Sequence, residues 1–360
     1  MILTINGGSS TVKYAGYSSD GNFAQLFKGK VEGRGEGLIE SLKGEIGEKK
    51  LMGIGHRVVH GGLKIQEHRV IDEGVMGELR AAVPLDLAHL PGEIELIEEM
   101  GREFAGVPQV ACLDTAFFKE LPVAAKMWPI PRRYFEAGIR RLGFHGLSYT
   151  YLMGVLRNLG AAEGKIILAH LGNGASMAAV SDLDVVDTSM GLTPLGGLVM
   201  GTRPGDLDPG LIVHLMREEN ITPRKMEELL SKECGMKGIA GTSDMRELLK
   251  RQKNDQRASE AVETFCRQAK KFIGAYAAAM GGLDTLVFSG GIGEHAAQVR
   301  AEICAGMEFL GIEIDENSNE RNSAEISKRN GRVVVRVIPT DEERVMAEIV
   351  WQMLPSRGRS

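Results

Sequence analysis

The sequence has few cysteines, and they form no recognisable motif. Cys112, Cys234, Cys266 and Cys304 lie far apart in the 360 residues and include no Cys-x-x-Cys pair. This spacing does not match the signature of a structural zinc site or of a disulfide-rich domain. We therefore expect buried free thiols in a reducing compartment.

Long apolar runs and an excess of basic residues are also lacking. The most apolar stretch, residues 273–288, is interrupted by Gly281 and Asp284, so we expect no membrane span. The N-terminus has no basic region and Asn6 interrupts its apolar residues, so we expect no secretory signal and a cytoplasmic protein. A formal net charge of -5 argues against broad nucleic-acid binding.

What the sequence has in excess is glycine. Its 46 glycines cluster in short turns, and three such turns follow predicted strands, at residues 6–11, 172–176 and 289–294. Exposed backbone N–H groups in such turns bind anions, and the missing Cβ atoms let phosphates approach closely. Three turns together predict a polyphosphate ligand. Neither a P-loop motif nor a Rossmann glycine motif is present, so those two nucleotide folds are not supported.

Two segments of the sequence resemble each other. "ILTINGGSSTVKY" at residues 2–14 and "ILAHLGNGASMAAV" at residues 167–180 each contain an apolar strand, a turn with Asn, Gly and Ser, and a second strand. We interpret them as a duplicated strand–turn–strand unit, and a chance match of two short segments is the alternative. A duplication implies two related domains that face each other across a shared cleft.

The rest of the chain has the patterns of an α/β protein. Further strands are predicted at residues 24–31, 108–113, 283–288 and 332–339, and helices at residues 93–104 and 261–280. Gly281 and Gly282 are placed to end the second of these helices. Thr340 is predicted to cap a final helix over residues 343–353, with Glu343 at the capping-box spacing.

Arginine and histidine stand in glycine-flanked loops. Arg57 lies in "GHRVVHGG", Arg203 in "GTRPGDLDPG" and His145 in "RRLGFHGLS". A loop arginine so constrained either pairs with a carboxylate of the protein or presents a rigid fork to a carboxylate or phosphate ligand. Asp206 and Asp208 are near enough in sequence to pair with Arg203, so both interpretations stay open.

Two carboxylates follow predicted strands. Asp114 ends "QVACLD" and Glu342 follows "VIPTD". A nucleotide-bound Mg²⁺ needs only one or two carboxylates besides waters and phosphate oxygens. Both residues are therefore candidate magnesium ligands, with helix or turn capping as the alternative role.

Nine segments, in order along nearly the whole chain, resemble the acetokinase (acetate kinase) family of the sugar kinase, heat-shock ATPase and actin superfamily. They are "NGGSSTVK", "GHRVVHGG", "CLDTAFF", "RLGFHGLS", "AHLGNGAS", "DTSMGLTPLGGLVMGTRPGDLDPG", "GTSDMREL", "FSGGIGE" and "IPTDEE". The resemblance implies an α/β fold of two duplicated ribonuclease H-like (actin-like ATPase) domains with a central cleft. It implies an N-terminal domain of residues 1–115 plus 343–360, to which the C-terminal helix returns, and a C-terminal domain of residues 116–342 with the nucleotide site.

The resemblance also implies roles for individual residues. Catalysis would involve Asn6, Arg57, Asp114, His145 and Arg203, and Mg²⁺ (or Mn²⁺) would be held by Asn6, Asp114 and Glu342. The acyl substrate would lie against Arg57, Val59, Leu85, Phe144 and Pro194. ATP or ADP would contact Ser9, Thr11, Lys13, His170, Leu171, Gly172, Asn173, Gly174, Asp244, Met245, Arg246, Gly290, Gly291, Ile292 and Gly293.

The implied activity is reversible, direct in-line transfer of the γ-phosphoryl group of ATP to acetate. An ionised carboxylate attacks without a general base, and fixed positive charge would offset the repulsion between two anions. The alternatives are a propionate or butyrate kinase and, from another class, a nucleotide-driven switch like the heat-shock and actin relatives. A homodimer is implied by the resemblance alone.

Three positions depart from the family pattern. Asp86 stands where most relatives have a histidine, with His89 three residues further on, while His295 and Gly196 replace a common asparagine and glutamate. Phosphoryl transfer remains the prediction, and the choice among short acids stays open.

Overall fold

The first of two β-sheets is formed by the N-terminal part of the chain. The computed structural model describes residues 1–8, 11–33, 35 and 37–354. The strands of this sheet are β1 (Ile2–Gly7), β2 (Thr11–Tyr17), β3 (Gln25–Glu32), β4 (Gly53–Val58), β5 (Arg69–Val70) and β6 (Gln109–Leu113), in the order β3-β2-β1-β4-β6-β5. β1, β2 and β3 are antiparallel neighbours, whereas β4 pairs parallel with β1, and β6 with β4.

The second sheet repeats this arrangement. Its strands are β7 (Lys165–Leu171), β8 (Ala175–Ser181), β9 (Asp184–Thr188), β10 (Thr285–Ser289) and β11 (Val334–Val337), in the order β11-β10-β7-β8-β9. β7, β8 and β9 are antiparallel neighbours, whereas β10 pairs parallel with β7, and β11 with β10. The two matching segments of the sequence are β1–β2 and β7–β8, which hold equivalent positions. The prediction of two duplicated α/β units is confirmed.

Fifteen α-helices lie in the described part of the chain. They are α1 (Leu38–Ile46), α2 (Glu73–Ala82), α3 (Leu90–Glu103), α4 (Val123–Lys126), α5 (Arg132–Glu136), α6 (Gly146–Asn158), α7 (Pro209–Glu218), α8 (Pro223–Lys232), α9 (Gly235–Ala240), α10 (Met245–Arg251), α11 (Gln256–Met280), α12 (Gly290–His295), α13 (Ala297–Cys304), α14 (Glu316–Glu320) and α15 (Glu342–Met353). As predicted, α11 ends at Gly281, whose φ of 70° suits glycine. Among the residues described, no helix is both long and apolar enough to cross a membrane.

The last helix packs on the first sheet, although it follows the second sheet in sequence. Met346 and Val350 of α15 share a buried core with Ile2 of β1 and Val110 of β6. This return brings the start of α15 to the end of β1. The turn before α15 therefore becomes part of the region between the two sheets.

The cap of α15 corrects a prediction. Asp341, not Thr340, is the N-cap, and its Oδ1 accepts a hydrogen bond from Arg344 N at 3.0 Å. The backbone N–H of Thr340 instead donates to Glu294 Oε1 at 3.3 Å, which holds Thr340 outside the helix. The predicted capping box of Thr340 and Glu343 is therefore not formed.

Candidate active site

A polar cleft of about 500 Å³ lies where the turns of the two sheets face each other. Both glycine turns contribute to it, together with the start of α12 and the turn before α15. Its walls are formed by Asn6, Gly8, Thr11, Lys13, Lys28, Arg57, His89, His145, His170, Gly172, Asn173, Gly174, Arg203, Gly290, Gly291, Glu294, Thr340, Glu342 and Glu343.

Arg57 is at the centre of a charged network beneath the first turn. Its Nη2 and Nε lie 2.6 Å and 3.2 Å from Asp114 Oδ2. Its Nη1 donates to Asn6 Oδ1 at 3.5 Å, and its Nε lies 4.0 Å from Glu342 Oε2. Asn6 Nδ2 in turn donates to Glu342 and Glu343, each at 3.3 Å. The ends of β1, β4 and β6 and the start of α15 therefore meet at one point.

Burial and charge act in opposite directions on this network. Burial alone would lower the pKa of Arg57, but the carboxylates of Asp114 and Glu342 outweigh it and raise that pKa. Burial also raises the pKa of Asp114, and Arg57 opposes that rise. Because a guanidinium stays charged in proteins, the buried Asp114 carboxylate depends on Arg57 for its ionisation.

The oxygen atoms of this network suit a hard divalent cation. Asp114 Oδ1 is buried and has no hydrogen-bond partner among the described residues. A buried carboxylate oxygen without a partner is unusual, and a bound ion or water is an ordinary explanation. Carboxylate and amide oxygens are the ligands that Mg²⁺ takes in proteins, so the residues fit the ion. No group of three or more His, Cys, Asp or Glu residues with metal-site geometry occurs within the described ranges.

His145 and His170 stack on each other beside the second sheet. Their ring centroids lie 4.4 Å apart with an angle of 19° between the planes. His145 Nδ1 lies 2.8 Å from Ser176 Oγ, which also lies 2.5 Å from the Tyr149 hydroxyl. Burial lowers the pKa of His170 to about 4 and that of His145 well below its usual value, and nearby positive charges add to both shifts. Both rings are therefore neutral near pH 7.

The backbone of His145 adopts an unusual conformation. Its φ of 62° lies in the left-handed region. Residues other than glycine rarely adopt this conformation, and those that do are often found at functional sites. The residue directly precedes α6, and this turn places its imidazole over β8.

Arg203 reaches the cleft without a carboxylate partner in the described part of the chain. Its Nη1 donates to the carbonyl oxygen of Pro194 at 2.7 Å. Asp206 and Asp208 instead accept hydrogen bonds from backbone N–H groups, and Asp208 caps α7. The structural pairing that the sequence left open is therefore not formed. Burial lowers the pKa of Arg203 to about 10, so its charge persists at neutral pH.

The second glycine turn packs tightly against these side chains. A Cβ on Gly174 would lie 2.6 Å from Arg203 Nη2 and 3.3 Å from His145 Nε2. A Cβ on Gly201 would lie 1.9 Å from Asn173 Oδ1. A side chain at either position would therefore displace the end of Arg203 or Asn173 from its place in the cleft.

The third predicted turn is the first turn of a helix. α12 begins at Gly290, directly after β10, and Gly290 has a φ of 76°. Glu294 Oε1 accepts hydrogen bonds from Gly290 N at 2.9 Å and Thr340 N at 3.3 Å. Sequence reasoning missed Glu294, and its signal was the acidic residue that follows the glycines within one helical turn.

A second cavity of about 620 Å³ adjoins the cleft and shares Asn173, Arg203 and His89 with it. Of the four apolar residues expected around the acyl group, Leu85 and Pro194 line this cavity. The other two, Val59 and Phe144, are 2% and 1% exposed and belong to the core of the second sheet. The structure therefore brings only half of the expected pocket to a cavity wall.

The expected nucleotide contacts also divide into two groups. Those on the cleft wall are Thr11, Lys13, His170, Gly172, Asn173, Gly174, Gly290 and Gly291. Those away from it are Leu171, Asp244, Met245, Arg246, Ile292 and Gly293, while Ser9 lies outside the described residues. Asp244 caps α10 and pairs with the exposed Arg246.

Comparisons with known proteins agree with this geometry. The profile of the Acetokinase family matches residues 36–348. An acetate kinase of Rhodopseudomonas palustris is 41% identical over 322 residues, which cover 88% of this chain and 80% of the relative. The crystal structure of Porphyromonas gingivalis acetate kinase has a TM-score of 0.88 at 35% identity and covers 98% of this chain and 99% of that one. A propionate kinase from Francisella tularensis has a TM-score of 0.89 at 34% identity, with 96% and 98% covered.

The fold, the cleft and these comparisons define an ATP-dependent carboxylate kinase built from two duplicated α/β units. More narrowly, the chain belongs to the acetokinase family. The family and the fold class predicted from the nine segments are confirmed.

Proposed function

We propose that the protein transfers the γ-phosphoryl group of ATP to acetate, reversibly and in one in-line step. The observation that carries this proposal is the convergence of Arg57, Arg203 and His145 on a cleft lined by both glycine turns. A nucleotide switch needs no clamp for a second anion. The clamp therefore favours a kinase over the switch of the actin and heat-shock type.

The electrostatics of the cleft suit this reaction. The acid is already ionised, so the main barrier is the approach of two anions. At ~3.5 Å and an effective dielectric of ~20, each pair of unit charges repels by about 5 kcal/mol. Arg57, held by Asp114, and Arg203, held by a backbone carbonyl, present fixed positive charge against that repulsion.

His145 is suited to donate a hydrogen bond to the phosphoryl group. The Tyr149 hydroxyl can donate to Ser176 Oγ, and Ser176 can donate to His145 Nδ1. With the bonds oriented in this way, the proton of the neutral ring lies on Nε2. His145 Nε2 lies on the side of Gly174 and Arg203, so its N–H faces the same space as the guanidinium.

Asn6, Asp114 and Glu342 are the residues we propose for Mg²⁺, with Mn²⁺ as a possible substitute. The buried, unpartnered Asp114 Oδ1 supports this proposal most directly. When bound, the ion would neutralise charge on the phosphate oxygens. Asn6 and Asp114 also hold the Arg57 guanidinium in place through the hydrogen bonds described above.

Propionate or butyrate is the second candidate acid. The adjoining cavity of about 620 Å³ exceeds what two carbon atoms need, and Leu85 and Pro194 give it apolar walls. One methylene group changes discrimination by only about 1–3 kcal/mol. We therefore expect propionate to be a substrate in addition to acetate.

We also propose a homodimer in the cytoplasm, with domains divided at residues 115/116 and 342/343. α7 has no buried residue, and Leu207, Leu211 and Val213 are exposed on and beside it, which supports an interface with a second copy.

The packing of α15 on the first sheet supports the division into domains. The four free thiols suit a reducing compartment.

The test is to trap the acyl phosphate with hydroxylamine after incubation with MgATP and acetate, propionate or butyrate. We expect hydroxamate formation that requires both ATP and acid. Acid-independent hydrolysis of ATP, with no hydroxamate, would instead support the switch. The kcat/KM values across the three acids identify the preferred chain length.

A further inference from the structure

His89 lies where the two cavities of the active-site region meet. It lines the polar cleft and the larger adjoining cavity, as Arg203 and Asn173 do. Its side chain is 20% exposed. The proposed mechanism gives this imidazole no role, although it shares both cavities with an arginine of the anion clamp.

The neighbouring Asp86 holds the imidazole in one orientation. His89 Nδ1 lies 2.9 Å and 3.1 Å from the two carboxylate oxygens of Asp86. Asp86 is only 5% exposed. Burial would raise the pKa of its carboxyl group, but the hydrogen bonds from His89 outweigh burial and lower it. Asp86 is therefore an ionised acceptor, and the proton of the ring lies on Nδ1.

The other nitrogen of the ring is free to meet a ligand. His89 Nε2 makes no hydrogen bond within the described part of the chain. With Nδ1–H bound to Asp86, Nε2 carries a hydrogen only when the ring is protonated. A ring so held is a charged donor in that form and has no N–H to offer from Nε2 in its neutral form.

Three cations and two carboxylates line the larger cavity beside this pair, namely Arg203, Lys232 and Lys237 against Asp86 and Glu227. The titratable and charged groups whose fields reach the pair, from every element packed around it, are His60, Glu93, His145, Arg203 and Glu227. Arg203 faces the same two cavities as His89. An anion bound beside Arg203 would therefore meet the imidazole as well.

We propose that Asp86 and His89 form a dyad that presents a protonated imidazole to the transferring phosphoryl group, with His89 Nε2 donating to one of its oxygens beside Arg203. In these terms His89 is a catalytic residue and Asp86 is its positioning residue. The inference rests on the proposed function, because the anion that the dyad meets is the phosphoryl group of that reaction.

A purely structural role would not need the imidazole. Asp86 Oδ1 also accepts a hydrogen bond from His89 N at 3.2 Å, just before α3. That bond involves the backbone of residue 89, so any side chain there would keep it. Replacing the ring therefore separates the two roles.

The experiment compares His89→Asn and His89→Gln with the wild-type enzyme. The Gln amide can reach the position of Nε2 as a neutral donor, whereas the Asn amide cannot. We expect kcat to fall about 10²-fold in His89→Asn and about tenfold in His89→Gln, since a neutral donor replaces a charged one. The pH profile of kcat should also change in both variants, because neither amide can carry the charge of a protonated ring.

Asp86→Asn tests the positioning role, and His214→Asn is the matched control. We expect Asp86→Asn to lower kcat and to weaken the pH dependence that the dyad causes. His214 is exposed on α7, outside both cavities, so its replacement should change neither quantity. Thermal unfolding checks that each variant is folded.

Calorimetric titration with inorganic phosphate in the presence of MgADP adds a measurement that needs no turnover. We expect about tenfold weaker phosphate binding in His89→Asn than in wild type. Unchanged kcat, pH profile and phosphate affinity in folded His89→Asn would overturn the dyad. Weaker phosphate binding in a protein that forms no acyl phosphate would support the dyad and overturn the proposed function alone.

Discussion

The two halves of the cleft occupy equivalent positions in a duplicated fold but have different chemistry. Under the first sheet, Arg57 is tied to Asp114, and Asn6 to two glutamates, in a network of charged groups. Under the second sheet, the wall consists mainly of glycine backbone and of histidines kept neutral by burial, with Glu294 as its carboxylate. Duplication thus supplied two similar turns, and the side chains around each turn diverged.

This difference suits two tasks. A network rich in carboxylates suits a metal ion and holds an arginine in a fixed orientation. A wall with few carboxylates leaves room for the negative charge of a polyphosphate, which backbone N–H groups can bind at close range. Arg203 stands between these two environments, since it carries a charge without a carboxylate partner among the described residues.

The largest effect is expected from the unpaired arginine. Arg203→Ala should lower kcat by roughly 10³-fold or more, because its charge is free to act on the transferring group. Steady-state kinetics of hydroxamate formation measure this, with the exposed Arg257→Ala as control. A loss below tenfold in a folded variant would remove Arg203 from the catalytic residues.

In the half of the cleft under the first sheet, where Arg57 pairs with Asp114, we expect a substitution to lower the stability of the fold. Asp114→Ala leaves the guanidinium of Arg57, whose side chain is 15% exposed, without its closest carboxylate. We expect the free energy of unfolding to fall by about 3 kcal/mol, the cost of breaking a buried ion pair. Urea denaturation measures it, and the exposed Asp184→Ala on β9 should change it little. Equal effects of the two substitutions would contradict the comparison.

In the half of the cleft under the second sheet, where the histidines are neutral, we expect acid to lower the stability of the fold. The pKa of His170 in the folded protein is about 4, below its ordinary value, so protons bind the unfolded chain first. Its contribution to stability is therefore full above pH 6.5 and is lost as the pH falls from 6.5 to 4, by up to about 3 kcal/mol. In His170→Gln this part of the decline should disappear. His295→Gln, at an exposed position, should keep the wild-type profile.

The smallest effect is expected from the hydrogen bond that orients His145. Ser176→Ala removes the partner of His145 Nδ1 at 2.8 Å and should lower kcat about fivefold, since the loss of one hydrogen bond is worth about 1 kcal/mol. The exposed Ser259→Ala on α11 is the control. A loss as large as that of Arg203→Ala would mean that the neutral histidine matters as much as the free charge.

Local sequence patterns predicted the helices and strands well and the exact residues at which they begin less well. The apolar strands before each glycine turn follow from the pattern of apolar residues, and the end of α11 at Gly281 follows from the conformational freedom of glycine. Both are local properties of the sequence. The predicted N-cap of α15 was wrong because the backbone N–H of Thr340 donates a hydrogen bond to Glu294, which is distant in sequence. Such competition between partners is invisible in a short window of sequence.

The candidate site was predictable in part for the same reason. Glycine-flanked Arg57, Arg203 and His145 all line one cleft, as expected of loops that present charge. Val59 and Phe144 are instead enclosed in the core, because apolar side chains are buried wherever the packing allows. Their sequence pattern does not distinguish a core residue from the wall of a pocket.

The sequence by itself determined two strand–turn–strand units, their glycine turns and the loops that carry the arginines, since these depend on residues close together in the chain. Only the tertiary structure decided the pairings that make a site. Arg57 meets Asp114 across 57 positions, and Asn6 meets Glu342 across 336. The physical reason is that hydrogen bonds, burial and pKa shifts act through distance in space, which the order of residues does not specify.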